Sequence, residues 1–296
     1  MGERGLTEPY AALTLKDGRK LAYLDVGKAG GPAVFHFHGH GSSRLEALIL
    51  EDAANRLGLR VVAFDRPGVG YSDPHDGDRL LDWPSDIAEA ADQLGIDRFA
   101  VQGMSAGGPY ALACAHALKD RVFACSLVSA VPPPEVARRK GPRVRRLAWW
   151  IAYRFPRYLR SRLERFRPDG VPDEESVRHR MMMVARWLGG EDFRLMQIES
   201  LRGVLARTMM ETARQSGAGN RAEIERLVRP WGFDIREIET PRIFVWHGHE
   251  DRIMPIGPAR LMARRLHDAT ATFYHDEGHF SVLVNRAYDL LAALRP

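Results

Sequence analysis

Three residues far apart in the chain have the types and settings that nucleophilic acyl chemistry needs. Ser105 stands in Gly103-Met104-Ser105-Ala106-Gly107, a G-x-S-x-G pattern between an apolar run and a stretch of helix formers. Small residues on both sides let the backbone turn sharply from strand to helix and push the hydroxyl outward. The same turn puts the Ala106 backbone N–H at a helix N-terminus, where its partial positive charge can stabilise an oxyanion. An alcohol is a poor nucleophile at its own pKa, so a base must take its proton and a third group must hold the base in the right tautomer. Downstream, the apolar run 243–246 leads into His247-Gly248-His249-Glu250-Asp251, and the run 271–274 leads to Glu277-Gly278-His279. Loops beyond the carboxyl ends of parallel strands are where such sheets build their sites. Ser105 is therefore expected to be the nucleophile, His279 the general base and Asp251 the residue that orients it. Glu250 is the neighbouring rival acid; after the earlier run 123–129 no carboxylate occurs before Glu135.

Other clusters invite a metal reading and fail on context. His36, His38 and His40 are spaced H-x-H-x-H, but Gly41-Ser42-Ser43 follows where a dinuclear zinc site needs further ligands. His275 and His279 are four apart on strand and loop rather than helix, and His247 and His249 beside Asp251 lack a third ligand. No metal and no cofactor is expected. Cys114 and Cys125 have neither CxxC spacing nor a histidine partner, and read as buried thiols.

These residues require a sheet to hold them. Short β-branched or aromatic runs at 10–15, 19–26, 33–38, 60–65, 99–103 and 123–129 alternate with amphipathic stretches at 44–57, 85–94 and 106–118. The first two runs flank Asp17-Gly18 and read as a hairpin. After Val131-Pro132-Pro133-Pro134 roughly a hundred residues show helical periodicity with no strand before Arg242, broken at Pro168 to Pro172 and at Ser216 to Asn220. Alternation then resumes with 243–247, a helix at 257–266, the strand 271–274 and a helix after His279. The fold class expected is α/β: a mostly parallel twisted sheet of about eight strands with helices on both faces. Residues 1–131 and 241–296 form its core, and 132–240 form an inserted helical cap.

The order Ser, Asp, His along the chain, with His38-Gly39-His40-Gly41-Ser42, Asp65-Arg66-Pro67-Gly68-Val69-Gly70-Tyr71-Ser72, Gly248-His249-Glu250-Asp251 and Gly278-His279-Phe280, resembles the α/β-hydrolase superfamily. The resemblance covers nearly the whole chain outside the insertion, which looks like the family's cap. It implies a second oxyanion donor after the third strand, the backbone N–H of His40, although Gly41 stands where proline is frequent. It also implies that Asp65, Arg66 and Ser72 fix loop geometry near the site, and Arg44 is read as structural.

With 296 residues and 45% hydrophobic content the chain can bury a large core, and no run approaches the roughly 18 apolar residues of a membrane span. Without a leader-like N-terminus it is expected to be soluble and cytoplasmic, a monomer or homodimer. The net charge of +5 is concentrated at 138–167, a segment also rich in aromatics. That segment reads as a cap helix with one apolar face against the site and a solvated basic face, rather than a membrane or nucleic-acid surface. Trp149, Trp150 and Met182 are the candidate substrate contacts, pointing to a small, lipophilic ester as substrate. The same triad also serves amidases, lactonases, C–C bond hydrolases and perhydrolases. A serine at 105, where an aspartate would suit a dehalogenase or epoxide hydrolase, disfavours those two. A non-catalytic binding module is the rival class, disfavoured because all three triad residues are present.

Overall fold

Eight extended segments pair into a single sheet in the computed structural model, which describes residues 10–77, 79–140, 142–155, 158–159, 161–162 and 172–296. They are β1 (Ala11–Thr14), β2 (Lys20–Gly27), β3 (Ala33–Phe37), β4 (Arg60–Phe64), β5 (Phe99–Met104), β6 (Val122–Val128), β7 (Ile243–Gly248) and β8 (Thr270–Tyr274). Their spatial order is β1-β2-β4-β3-β5-β6-β7-β8, with β1–β2 and β2–β4 antiparallel and every other pair parallel. The register sets Phe37 beside Gly103, Val128 beside Trp246 and His247 beside Phe273, so the carboxyl ends of β3, β5, β6, β7 and β8 open onto one edge.

The central strands read as continuous apolar runs because both faces are covered. Phe35, Phe37, Phe99, Val101, Cys125 and Leu127 point into one layer, packed by α2 (Trp83–Gln93) and α3 (Gly107–Ala117). Val34, Ala100, Met104, Ala124 and Val128 point into the other, under α1 (Glu51–Leu57) and the C-terminal helices. Trp83 organises the first layer, meeting Phe37, Phe64 and Tyr110 edge-on at 5.5, 6.5 and 5.9 Å. Each such pair contributes about 0.5–1.5 kcal/mol beyond its burial.

Two expected helices are subdivided. The stretch 44–57 is a 3-10 turn, Arg44–Ile49, followed by α1, because the Arg44 and Glu46 side chains turn inward to polar partners instead of lying on a solvated face. The last helix is two short ones that meet at Arg286.

Between β6 and β7 the chain forms α4 (Pro134–Ala137), α5 (Arg143–Arg154), α6 (Glu174–Leu188), α7 (Gly190–Leu195), α8 (Glu199–Thr212) and α9 (Ala218–Val228). The break near Ser216 is a left-handed residue there (φ 52°) followed by Gly217; the break at Pro168 to Pro172 lies outside the described residues except for Pro172. A further break, at Gly189 and Gly190 (φ 67° and 52°), was not among those expected, although a Gly-Gly pair is a turn signal. Val177, Met181, Ala185, Leu195, Leu205 and Ala206 make a small apolar cluster of the insertion's own. Leu227, Trp231, Ile235 and Ile238 instead join the layer beneath the sheet, although they lie within 132–240. Three helices complete the chain: α10 (Ile256–Ala263), α11 (Ser281–Asn285) and α12 (Ala287–Ala292). No helix among the described residues is long and apolar enough to cross a membrane.

Candidate active site

The strand-to-helix turn between β5 and α3 holds Ser105 at φ 50°, the left-handed region that L residues avoid at a cost of about 1–3 kcal/mol. Its backbone is fixed on both sides: Ser105 N donates to Val128 O at 2.8 Å, and Ser105 O accepts from Val131 N at 2.9 Å. The flanking glycines are needed for close approach. A Cβ on Gly103 would lie 2.3 Å from Gly107 O, and one on Gly107 would lie 1.9 Å from Phe37 O. Small residues therefore set the turn against the end of β3.

That strand end carries the loop expected to supply the second oxyanion donor. Gly39 lies over the serine; a Cβ there would be 3.6 Å from Ser105 Cβ. Its N–H donates to the buried Glu46 carboxylate at 3.1 Å, and Glu46 also meets His36 Nε2 at 3.0 Å. Arg66 supports the loop from below, donating to His38 O at 2.5 Å and Gly39 O at 3.3 Å. Glu223, from α9, bridges Arg66 Nε (2.6 Å) and His40 Nδ1 (2.8 Å). Burial alone would raise the Glu223 carboxyl, but the Arg66 cation and His40 outweigh it and hold the group at about 2. Among the described residues the His40 and Ala106 backbone N–H groups donate to no other protein group. The H-x-H-x-H histidines are thus engaged: His36 by Glu46 and Gln102, His38 by Gly39 O, His40 by Glu223. Burial and Arg66 push His38 well below the ordinary histidine value.

At the ends of β7 and β8 the other two residues come together. Asp251 Oδ2 and His279 Nδ1 are 2.8 Å apart, both residues buried, and Asp251 Oδ1 accepts from Ile253 N and Met254 N at 2.8 and 2.7 Å. Burial opposes charge on His279, yet the Asp251 carboxylate and its hydrogen bond lift it above the usual histidine value. The same contact outweighs burial on Asp251 and holds it below the usual carboxylate range. Glu250 makes no such contact; its N–H donates to Glu277 O.

A residue with no motif behind it completes this corner. Asp192, in α7 of the insertion, accepts from the backbone N–H groups of His279, Phe280 and Ser281 at 2.7, 2.9 and 2.9 Å. Its close approach is possible because position 278 is glycine; a Cβ there would sit 2.4 Å from an Asp192 oxygen. Burial raises the Asp192 carboxyl despite these donors.

Ser105, His40, Ala106 and His279 line one cavity of about 450 Å³ whose remaining walls are mostly apolar, including Met104, Leu205, Leu227 and Val228. Trp149 is part of its wall. Trp150 and Met182 are not: the 100° turn per helical residue carries Trp150 outward to 48% exposure, and it is Met181, not Met182, that faces the cavity. Helix α5 as a whole buries no residue, so the expected apolar face against the site reduces to Trp149. Arg44 pairs with Asp65 and with Glu211 of α8, each at 2.7 Å, and Ser72 Oγ donates to Asp65 O, the structural roles expected of them. Cys114 and Cys125 are buried and unpaired.

A sequence profile of the α/β hydrolase fold matches residues 32–286. The chain belongs to that family. Among its relatives, a bifunctional esterase/perhydrolase of Acinetobacter calcoaceticus is 36% identical over 137 residues, 44% of this chain and 48% of that protein. This α/β hydrolase thus spans about half the length of that curated relative. A putative carbamate hydrolase of Caulobacter is 27% identical over 78% of each chain. Among solved structures, a thermophilic esterase from Thermogutta terrifontis aligns at TM-score 0.69 with 21% identity over 96% of each chain, a likeness of fold.

Proposed function

We propose that this α/β hydrolase is a serine esterase that cleaves lipophilic carboxylic esters through an acyl-enzyme on Ser105. The observation that carries the reading is the strained Ser105 sharing an apolar cavity with a histidine whose Nδ1 is held by a buried carboxylate. With Nδ1 bonded to Asp251, the Nε2 lone pair of His279 is the base. It takes the Ser105 proton as Oγ attacks the ester carbonyl, and Asp251 stabilises the imidazolium. The carbonyl oxygen becomes an oxyanion between the His40 and Ala106 N–H groups, where each donor contributes roughly a hundredfold to turnover. Collapse of the tetrahedral intermediate expels the alcohol, which takes the proton from His279. Water, deprotonated by the same base, then releases the acid and restores Ser105. In this reading the insertion is a cap, and its apolar wall suits an acyl or alkyl chain rather than a charged one.

The test is turnover of p-nitrophenyl esters of increasing chain length by wild type and Ser105→Ala, with a fluorophosphonate label located by mass spectrometry. Label on Ser105, and a loss of roughly 10,000-fold or more in the variant, supports the mechanism. Folded wild-type protein that neither takes the label nor turns over any ester would sink it.

A further inference from the structure

Helices α5 and α6 present apolar side chains that the described protein leaves uncovered. Along α5, Val144, Leu147 and Trp150 recur every third residue and are 79, 55 and 48% exposed. On α6, Met183, Val184 and Trp187 are all more than half exposed. Large apolar groups left exposed on two helices that line one cavity are a kind of surface that interaction sites use. Both helices also reach the cavity that holds Ser105: Trp149 of α5 and Val184 of α6 line it, and Val184, being exposed, marks its mouth.

The charge of the α5 segment is one-sided, while α6 carries Glu174 and Glu175 beside its own arginines. Residues 138–162 contain ten Arg or Lys and neither Asp nor Glu. Arg138, Arg145 and Arg146 donate to backbone carbonyls, of Pro134, of Ile253 and Arg252, and of Arg138 itself, which neutralises none of their charge. Among the described residues none of the cations from Arg138 to Arg154 pairs with a carboxylate.

A partner for this face must satisfy both features. A second copy docked symmetrically would bring the same cations face to face. A nucleic acid would answer the arginines and leave Val144, Leu147 and Met183 against water. An anionic bilayer answers both, taking the aromatic and aliphatic side chains at its interface and the guanidinium groups among its headgroups. We propose that the α5–α6 face docks on the surface of an anionic lipid bilayer, which sets the cavity mouth against the membrane. The docking does not depend on the esterase reading, since it involves neither Ser105 nor His279.

The test is flotation of the full chain with vesicles of phosphatidylcholine alone and of phosphatidylcholine mixed with phosphatidylglycerol. The expected result is partition into the anionic vesicles roughly tenfold or more above the neutral ones, weakening as salt is raised. Val144→Asp/Leu147→Asp and Arg139→Glu/Arg143→Glu should each cut that partition by about tenfold with an unchanged circular dichroism spectrum, these positions being exposed. Equal or absent partition, or either double variant binding like wild type, overturns the proposal. So does salt-sensitive binding of duplex DNA without vesicle binding, and so does self-association abolished by Val144→Asp/Leu147→Asp without vesicle binding. Ser105→Ala should float like wild type whatever its effect on ester turnover, which keeps the two readings separable.

Discussion

The sheet and the insertion are held in different ways. The sheet is a stack of alternating apolar positions, such as Phe35 down and Val34 up, repeated through β4, β3, β5, β6 and β7 with one apolar layer on each side. The insertion has a small cluster of its own, lends Leu227, Trp231, Ile235 and Ile238 to the layer beneath the sheet, and is fastened to the sheet's functional edge by charged contacts: Glu211 to Arg44, Glu223 to Arg66 and His40, Asp192 to the loop of His279. Apolar layers are tolerant of shape and indifferent to pH. Buried charges are neither, and losing one partner strands the other. Stability resides mainly in the first region, while the second ties stability to the geometry of the candidate site.

Substitutions should separate the two. The largest effect is expected from Asp251→Asn, a loss of roughly 10,000-fold in kcat at neutral pH in protein that still folds, because the amide oxygen can keep accepting from Ile253 N and Met254 N. The sign of its pH dependence follows from the contacts. His279 must be neutral to act as base, and Asp251 raises it above 6.5, so wild-type kcat/KM should rise with pH through a midpoint above 6.5. In the variant burial is opposed only by the Asp192 and Glu46 carboxylates, so the midpoint should fall; a midpoint that stays put in a full pH profile would mean another group sets it. In the sheet, Phe35→Ala should cost about 3–5 kcal/mol in urea unfolding yet leave kcat per folded molecule unchanged. A marked fall in kcat would erase the contrast between the regions.

Glu223→Gln should do both things at once, lowering stability by about 3 kcal/mol through the stranded Arg66 and lowering kcat through the His40 loop. Because Glu223 titrates at about 2 when folded and near 4.5 when free, its contribution is complete above 4.5 and fades as pH falls toward 2. The stability gap between variant and wild type, followed by thermal melts at several pH values, should therefore narrow on acidification. Asp192→Asn should be the mildest, about tenfold in kcat with KM little changed, because an amide nitrogen is turned toward backbone N–H groups that held the His279 loop. An equal loss in KM and none in kcat would make Asp192 a cap fastener only.

Much of this was legible in the sequence where a residue's role is local. The strands follow from β-branched runs, and Ser105, Asp251 and His279 from their places at strand ends. Trp149 and Trp150 were not separable without the helix phase, which a run of neighbouring aromatics does not fix. Glu46 had a local signal, since Ser43-x-x-Glu46 marks a helix start, but nothing showed that its carboxylate would turn inward beneath Gly39. Asp192 and Glu223 had none. Their partners are 87 and 157 residues away, and an acid on a helix in an insertion looks like any solvated acid until the fold brings a bare N–H or a guanidinium to it.

The contact of Gly107 with the carbonyl of Phe37 has a mechanical consequence. Where the serine turn meets the end of β3, the spacing is gauged by main chain on main chain, with no side chain interposed to change rotamer or be trimmed by mutation. The turn that carries the Ala106 amide and the strand end that leads toward His40 therefore keep a fixed spacing. A wall residue such as Leu205 can be recut for a different substrate without moving that junction, beside which the proposed mechanism develops its charge.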